Sequence, residues 1–213
     1  MRRYFLALLL VVAVGFTVSA QQSIRVACVG NSITEGSRLK DPKTESWPAV
    51  LQKLLGDRYT VENFGISART LLNNGDRPYT KEQKFTDSQE FLPDIVIIKL
   101  GTNDSKPQNW DQYGVEFEGD LREMVNTYKN LASNPKIYLC FPIWVNKNGY
   151  KIRESIIAAE IIPAIDNVAK ETAVSVIDLH TTLYGMAQLL PDGVHPNALG
   201  AAFIAKDIYN RIR

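Results

Sequence analysis

The sequence predicts a doubly wound α/β fold, a three-layer α/β/α sandwich around a five-stranded parallel sheet. Three observations carry this. Short β-branched and apolar runs alternate with longer segments of helical period. The runs are apolar almost throughout, as in parallel strands covered on both faces. Each run is followed by polar, aromatic or Gly-containing residues, at the strand ends where such sheets gather ligand sites.

Residues 1–20 stand apart from the sheet. Arg2 and Arg3 precede an apolar run from Phe5 to Val14, and Val18-Ser19-Ala20 resembles a signal-peptidase site. A bilayer span needs about 20 apolar residues, and Gly15, Thr17 and Ser19 interrupt this run. The expectation is a signal peptide cleaved after Ala20, with no stable membrane insertion afterwards. Cys28 lies too deep to be a lipid-anchor cysteine, so 21–213 is expected as one domain, periplasmic or secreted.

Strands are predicted at 24–29, 60–64, 95–100, 137–141 and 174–177, all β-branched or aromatic runs of strand length. Ser46-Trp47-Pro48 opens a helix to Leu55, with Pro in its first turn. Trp110, Tyr113, Phe117, Leu121, Met124, Tyr128 and Leu131 recur at steps of three and four, one stripe of a helix. A further helix at about 152–170 should kink or break at Pro163. Asn197 is placed to cap a last helix whose Leu199, Ala202, Phe203 and Tyr209 are expected to face the sheet.

Charge and composition narrow the function classes. Taking Arg2 and Arg3 from the 24 basic residues leaves 22 against 23 acidic, a balance that gives no bias toward nucleic acid. The two cysteines, Cys28 and Cys140, fall in separate apolar strands and are expected as free, buried thiols. No Cys or His cluster suggests a metal, and no cofactor is expected.

Three segments carry chemistry: Gly30-Asn31-Ser32-Ile33-Thr34-Glu35-Gly36, Gly101-Thr102-Asn103-Asp104 and Asp192-Gly193-Val194-His195-Pro196. A hydroxyl nucleophile needs a base, a group to orient the base, and donors for the oxyanion. Ser32 is the candidate nucleophile, His195 the base and later the acid, and Asp192 the orienting carboxylate. Gly193 permits the turn that brings Asp192 and His195 inward together. His180 also follows a strand and is the competing base, read here as structural. Asp104 is expected to hold its loop by accepting from neighbouring N–H groups.

Together these segments resemble the SGNH (GDSL-type) esterase superfamily from about Ile24 to the C-terminus, with Ser32, Gly65, Asn103 and His195 in its signature positions. The resemblance implies the SGNH-hydrolase, flavodoxin-like arrangement of the sheet, in which the third strand separates the first from the fourth. It also implies an oxyanion hole made by the backbone N–H groups of Ser32 and Gly65 and the side-chain amide of Asn103. A side chain at Gly65 is expected to crowd the substrate carbonyl. One departure is visible: the usual Gly-Asp-Ser is Gly-Asn-Ser here, and Asn31 keeps the size and turn preference of Asp.

Wording around Asn63-Phe64-Gly65, Gly75-Asp76-Arg77-Pro78-Tyr79 and 99–107 is similar to sialate O-acetylesterase-like and related carbohydrate O-acetylesterases. The implied partner is an acetylated carbohydrate or other small ester. Arg69, Arg77, Tyr79, Trp110 and Trp144 are candidate sugar-site residues, with Lys106, Gln108, Asn146 and Tyr150 beside them. A lysophospholipase or thioesterase of the same superfamily is the near alternative, and a catalytically retired glycan-binding module the distant one. The identity of the sugar, the oligomeric state, and hydrolysis as against acyl transfer stay open.

Overall fold

The structure is a computed structural model that describes residues 23–147 and 149–213. The expected signal segment lies outside the described residues. Five strands, β1 (Ile24–Gly30), β2 (Tyr59–Gly65), β3 (Ile95–Lys99), β4 (Lys136–Cys140) and β5 (Ser175–Ile177), form one sheet in the order β2-β1-β3-β4-β5. All pair in parallel, with Gly30 in register with both Gly65 and Lys99. The order reverses between β1 and β3, so the segments that follow these two strands flank the switch point, where such sheets bind ligands.

Alternation along the strands divides the interior into two layers. Ala27, Val29, Val96, Ile98 and Leu139 face α4 (Gln83–Glu90), α6 (Phe117–Lys129) and α8 (Ile162–Thr172). Val26, Cys28, Ile97, Tyr138 and Cys140 face α3 (Trp47–Leu55) and α9 (Ala198–Ile212). Both faces are buried, which is why the strands read as continuous apolar runs.

The helices differ from the sequence pattern in three places. The stripe expected as one helix from Trp110 to Leu131 is two: α5 (Pro107–Tyr113), a 3₁₀ turn over Gly114–Glu116, and α6. The Trp110 ring lies so close to Gly114 that a Cβ there would stand 3.0 Å from it, so a bare backbone is what lets the two segments meet. The expected sheet face of α9 is also corrected. Leu199 and Phe203 are exposed, while Ala201, Ile204, Ala205, Ile208 and Ile212 are buried. Two apolar stripes compete on this helix, and the one with small Ala201 and Ala205 lets α9 come close to the sheet and to α3, whose Trp47 and Leu51 share the same core. Thirdly, α4 has no apolar stripe strong enough to mark it in sequence; Phe85 and Phe91 anchor it.

Pro163 acts as expected. It sits in the first turn of α8, and the residues before it, Ile157–Ile161, form a π-helical turn after α7 (Glu154–Ile156). A proline has no N–H and its ring crowds the carbonyl four residues back, and the wider turn accommodates both.

Candidate active site

Ser32 opens a short helix, α1 (Ser32–Glu35), straight after β1, and a second one-turn helix, α2 (Pro42–Glu45), leads on into α3. Asn31 caps it, its Oδ1 accepting from Ile33 N–H at 3.1 Å, a role that needs only a side-chain oxygen and explains why Asn serves in place of Asp. Gly36 closes the turn at φ 91°, its N–H donating to the Ser32 carbonyl. Gly30 must lack a side chain, since a Cβ there would stand 2.1 Å from Thr34 Oγ1.

The structure brings the three predicted catalytic side chains together. His195 Nε2 is 2.9 Å from Ser32 Oγ, and His195 Nδ1 is 2.8 Å from Asp192 Oδ2. Asp192 Oδ1 accepts from the N–H groups of Val194 at 3.0 Å and His195 at 2.7 Å, with Gly193 at φ 84° making the turn. Partial burial pushes the Asp192 carboxyl up, but the His195 backbone and ring and the Val194 N–H outweigh it and hold it down at about 2. His180 lies elsewhere, with Nε2 2.6 Å from Glu154 Oε1 and no part in the Ser32 cleft.

Asn103, after β3, lines the same cleft as Ser32 and His195. Its Nδ2 donates to the Arg69 carbonyl at 3.1 Å, and its own carbonyl accepts from Asn109 Nδ2 at 2.9 Å. Asp104 is fully buried and does hold the loop, but to a partner distant in sequence: Oδ1 accepts from Leu72 N–H at 2.8 Å. Burial pushes its pKa up to about 6 despite donors from Leu72, Leu71 and Gly101. Lys99, also fully buried, is pulled down to about 8 by burial.

Gly65 departs from its expected place. Its N–H donates to Asn63 Oδ1 at 2.9 Å, and a Cβ there would stand 2.2 Å from Glu35 N. The glycine is therefore needed for α1 to pack on β2, not to spare a substrate carbonyl. Asn63 completes the joint by donating to the Thr34 carbonyl at 2.9 Å. The cleft is lined instead by Ala68, at φ 66° in the left-handed region. Ala68 is held from both sides: Ser67 Oγ donates to Glu35 Oε2 at 2.5 Å, and the Arg69 carbonyl accepts from Asn103.

The cleft encloses about 230 Å³ and is walled by Ser37, Arg38, Ser67, Lys106, Tyr150 and Ile152 around Ser32, Ala68, Asn103 and His195. Of the sugar-site candidates, Lys106 and Tyr150 line it. Arg69 is turned away into an ion pair with Glu82 at 2.8 Å. Arg77 is exposed outside the cleft, and Tyr79 is a core residue, its hydroxyl donating to the Phe64 carbonyl at 2.7 Å. Trp110 packs on Phe117 and donates to Glu160, and Trp144 packs on Tyr184. Gln108 donates to Asp76 at 3.2 Å, and Asn146 is exposed. Large aromatics near strand ends were claimed by the core and by helix packing, which composition does not separate from a binding wall. Ala68 and Arg38 were missed. The small residues after Gly65 were the only sequence signal for Ala68, and Arg38 carried none.

Among the described residues, no group of His, Cys, Asp and Glu is placed to hold a metal, and no helix is long and apolar enough to cross a membrane.

A profile of the GDSL-like Lipase/Acylhydrolase family matches residues 28–203. An acetylxylan esterase from Xylanibacter ruminicola is 44% identical over 211 residues, covering 91% of this chain and 44% of the relative. The chain thus spans less than half of that relative's length. Among solved structures, a carbohydrate acetylesterase from Sinorhizobium meliloti superposes with a TM-score of 0.71 at 21% identity, covering 89% of this chain and 98% of the other. An aryl esterase from M. smegmatis gives a TM-score of 0.71 at 20% identity over 90% and 99%. At these identities the two structures speak for the fold.

Proposed function

The chain belongs to the GDSL-like lipase/acylhydrolase family, and on that premise we propose that it is an exported carbohydrate O-acetylesterase working through an acyl-serine intermediate. The observation that carries the chemistry is the unbroken chain from Ser32 Oγ through His195 to Asp192. Ser32 attacks the ester carbonyl while His195 Nε2 takes its proton, and Asp192 holds the imidazole in the orientation and tautomer this needs. The oxyanion is received by the N–H groups of Ser32 and Ala68 and by the Asn103 amide, each such donor contributing about 3 kcal/mol in the transition state. His195 then gives its proton to the departing alcohol, and water, activated by the same imidazole, releases acetate from Ser32.

The acetyl preference rests on the walls of the cleft. Binding a long acyl chain gains about 0.8 kcal/mol per buried methylene, which requires apolar lining. The wall sets Ser37, Arg38, Ser67 and Lys106 among Ala68, Tyr150 and Ile152, so polar and charged groups break up the apolar surface it offers. Likeness to the acetylxylan esterase supports an acetylated xylan-type polysaccharide as the substrate. The test is acetate release from acetylated xylan, expected for the wild type and abolished in Ser32→Ala. On p-nitrophenyl esters, acetate should exceed butyrate, with octanoate poor, and a preference that rises toward octanoate would favour a lysophospholipase. His180→Ala, remote from the cleft, should still turn over. For export, N-terminal sequencing of secreted protein is expected to begin at Gln21.

A further inference from the structure

Beside His195 lies a second cavity, of about 300 Å³, lined by Arg38, Tyr150, Pro191, Asp192, Pro196 and Asn197. It shares Arg38, Tyr150 and His195 with the Ser32 cleft, so the two meet around one bridge. In that bridge Arg38 Nη2 donates to the Tyr150 hydroxyl at 2.9 Å, and the hydroxyl donates to Asp192 Oδ2 at 3.1 Å. The Tyr150 and His195 rings meet edge to face, centroids 5.4 Å apart.

Mechanism decides what this second space faces. The alkoxy oxygen of the ester must come within hydrogen-bonding reach of His195 Nε2 to be protonated as it leaves. The alcohol half of the substrate therefore extends past His195, toward the cavity. Its walls suit a hydroxylated ring: Tyr150 is 48% exposed, Pro191 and Pro196 add rigid apolar surfaces, and the Arg38 side chain is 66% exposed. The Asn197 side chain is already engaged, accepting from Gly200 N–H as the cap of α9. Arg38, Tyr150 and Lys151 are held at φ 73°, 58° and 63°, left-handed conformations that non-glycine residues keep where surrounding structure demands them, often at ligand clamps.

We propose that this cavity is the alcohol-side subsite, in which a pyranose ring of the departing carbohydrate stacks on Tyr150 while Arg38 donates to its hydroxyls. The subsite rests on the carbohydrate-esterase reading above. Tyr150 thus has two roles that substitution separates: its hydroxyl braces Asp192 for any ester, and its ring holds only an alcohol large enough to reach it.

Acetate release from an acetylated xylo-oligosaccharide and from ethyl acetate, whose alcohol is too small to fill the cavity, is compared in wild type, Tyr150→Phe, Tyr150→Ala and Arg38→Ala. Any loss shared by the two substrates in Tyr150→Phe reports on the Asp192 brace. Going from Phe to Ala at position 150, the oligosaccharide should lose about tenfold more in kcat/KM than ethyl acetate does, mainly through KM. Arg38→Ala should show the same excess loss on the oligosaccharide. Equal losses on both substrates in Tyr150→Ala and Arg38→Ala would overturn the subsite and leave the esterase reading standing. Wild-type enzyme that cleaves ethyl acetate but not the oligosaccharide would overturn the carbohydrate reading, and the subsite with it.

Discussion

In the proposed reaction Asn103 divides one amide between two tasks. One N–H of Nδ2 is spent on the Arg69 carbonyl, which fixes the side chain, and the other is left for an oxyanion. Such a donor is aimed at charge that develops only in the transition state. Asn103→Ala should therefore lower kcat by about 10²- to 10³-fold with little change in KM, as measured by steady-state acetate release; a pure KM effect would make it a ground-state binding residue. Asp192 gives a pH prediction whose sign follows from its depressed pKa. The folded value of about 2 lies below the ordinary 3.8, so the stabilisation is fully present above 3.8 and is lost as pH falls toward 2. The gap in Tm between wild type and Asp192→Asn should narrow over that window; a constant gap would mean the carboxylate's ionisation is not what the fold uses. Asp192 is legible in sequence because its partners Val194 and His195 lie within three positions, and Asn103 because it sits in the short motif Gly101-Thr102-Asn103-Asp104, although the carbonyl it meets belongs to Arg69. Ala68 is not: its neighbours Ser67 and Arg69 are tied to Glu35 and Asn103, groups more than thirty positions away.

The elements that carry these residues are joined by close backbone approaches, and the joint at Gly65 is the most exacting. A methyl group there would stand 2.2 Å from Glu35 N and 2.7 Å from the Thr34 carbonyl carbon. Gly65→Ala is therefore expected to push α1 off β2, costing about 1–3 kcal/mol and shifting Ser32 away from His195. A urea-unfolding midpoint and kcat measured together should both fall; an unchanged midpoint would mean that the joint yields without strain. Strand positions and the start of α3 agree with the sequence reading within a residue or two, and the helix predicted over about 152–170 is interrupted beside Pro163, since β-branched runs and proline act locally. The break between α5 and α6 was not legible, because apolar spacing continues across Gly114 and only the Trp110 ring lying against that glycine interrupts the helix. The phase of α9 was misread for a related reason: both of its stripes are apolar, and only packing against α3 chooses the one with alanines.

For the whole molecule, the order β2-β1-β3-β4-β5 has consequences beyond the site. Cys28 and Cys140 lie on one face of the sheet with β3 between their strands, and both thiols are buried. Neighbouring strands are about 4.8 Å apart and a disulfide needs Cα atoms within about 7 Å, so the two cannot bond without rebuilding the sheet. Burial pushes the Cys140 thiol up to about 12 and raises Cys28 as well, which keeps both as unreactive thiols. Thiol titration of denatured, unreduced protein should find both cysteines, and finding neither would contradict the strand order. The reversal between β1 and β3 also explains why Ser32 and Asn103, 71 positions apart, share one cleft. What the sequence by itself determined was the parallel sheet, its layers, and the three side chains, Ser32, His195 and Asp192, that the fold brings together, because periodicity and turn chemistry are written in neighbouring residues. Tertiary structure alone decided that Ala68 and not Gly65 lines the cleft, that Trp110 and Tyr79 serve the packing, and that Arg38 meets Tyr150 from 112 positions away. Contacts of that kind depend on how finished elements pack against one another, and no local pattern records them.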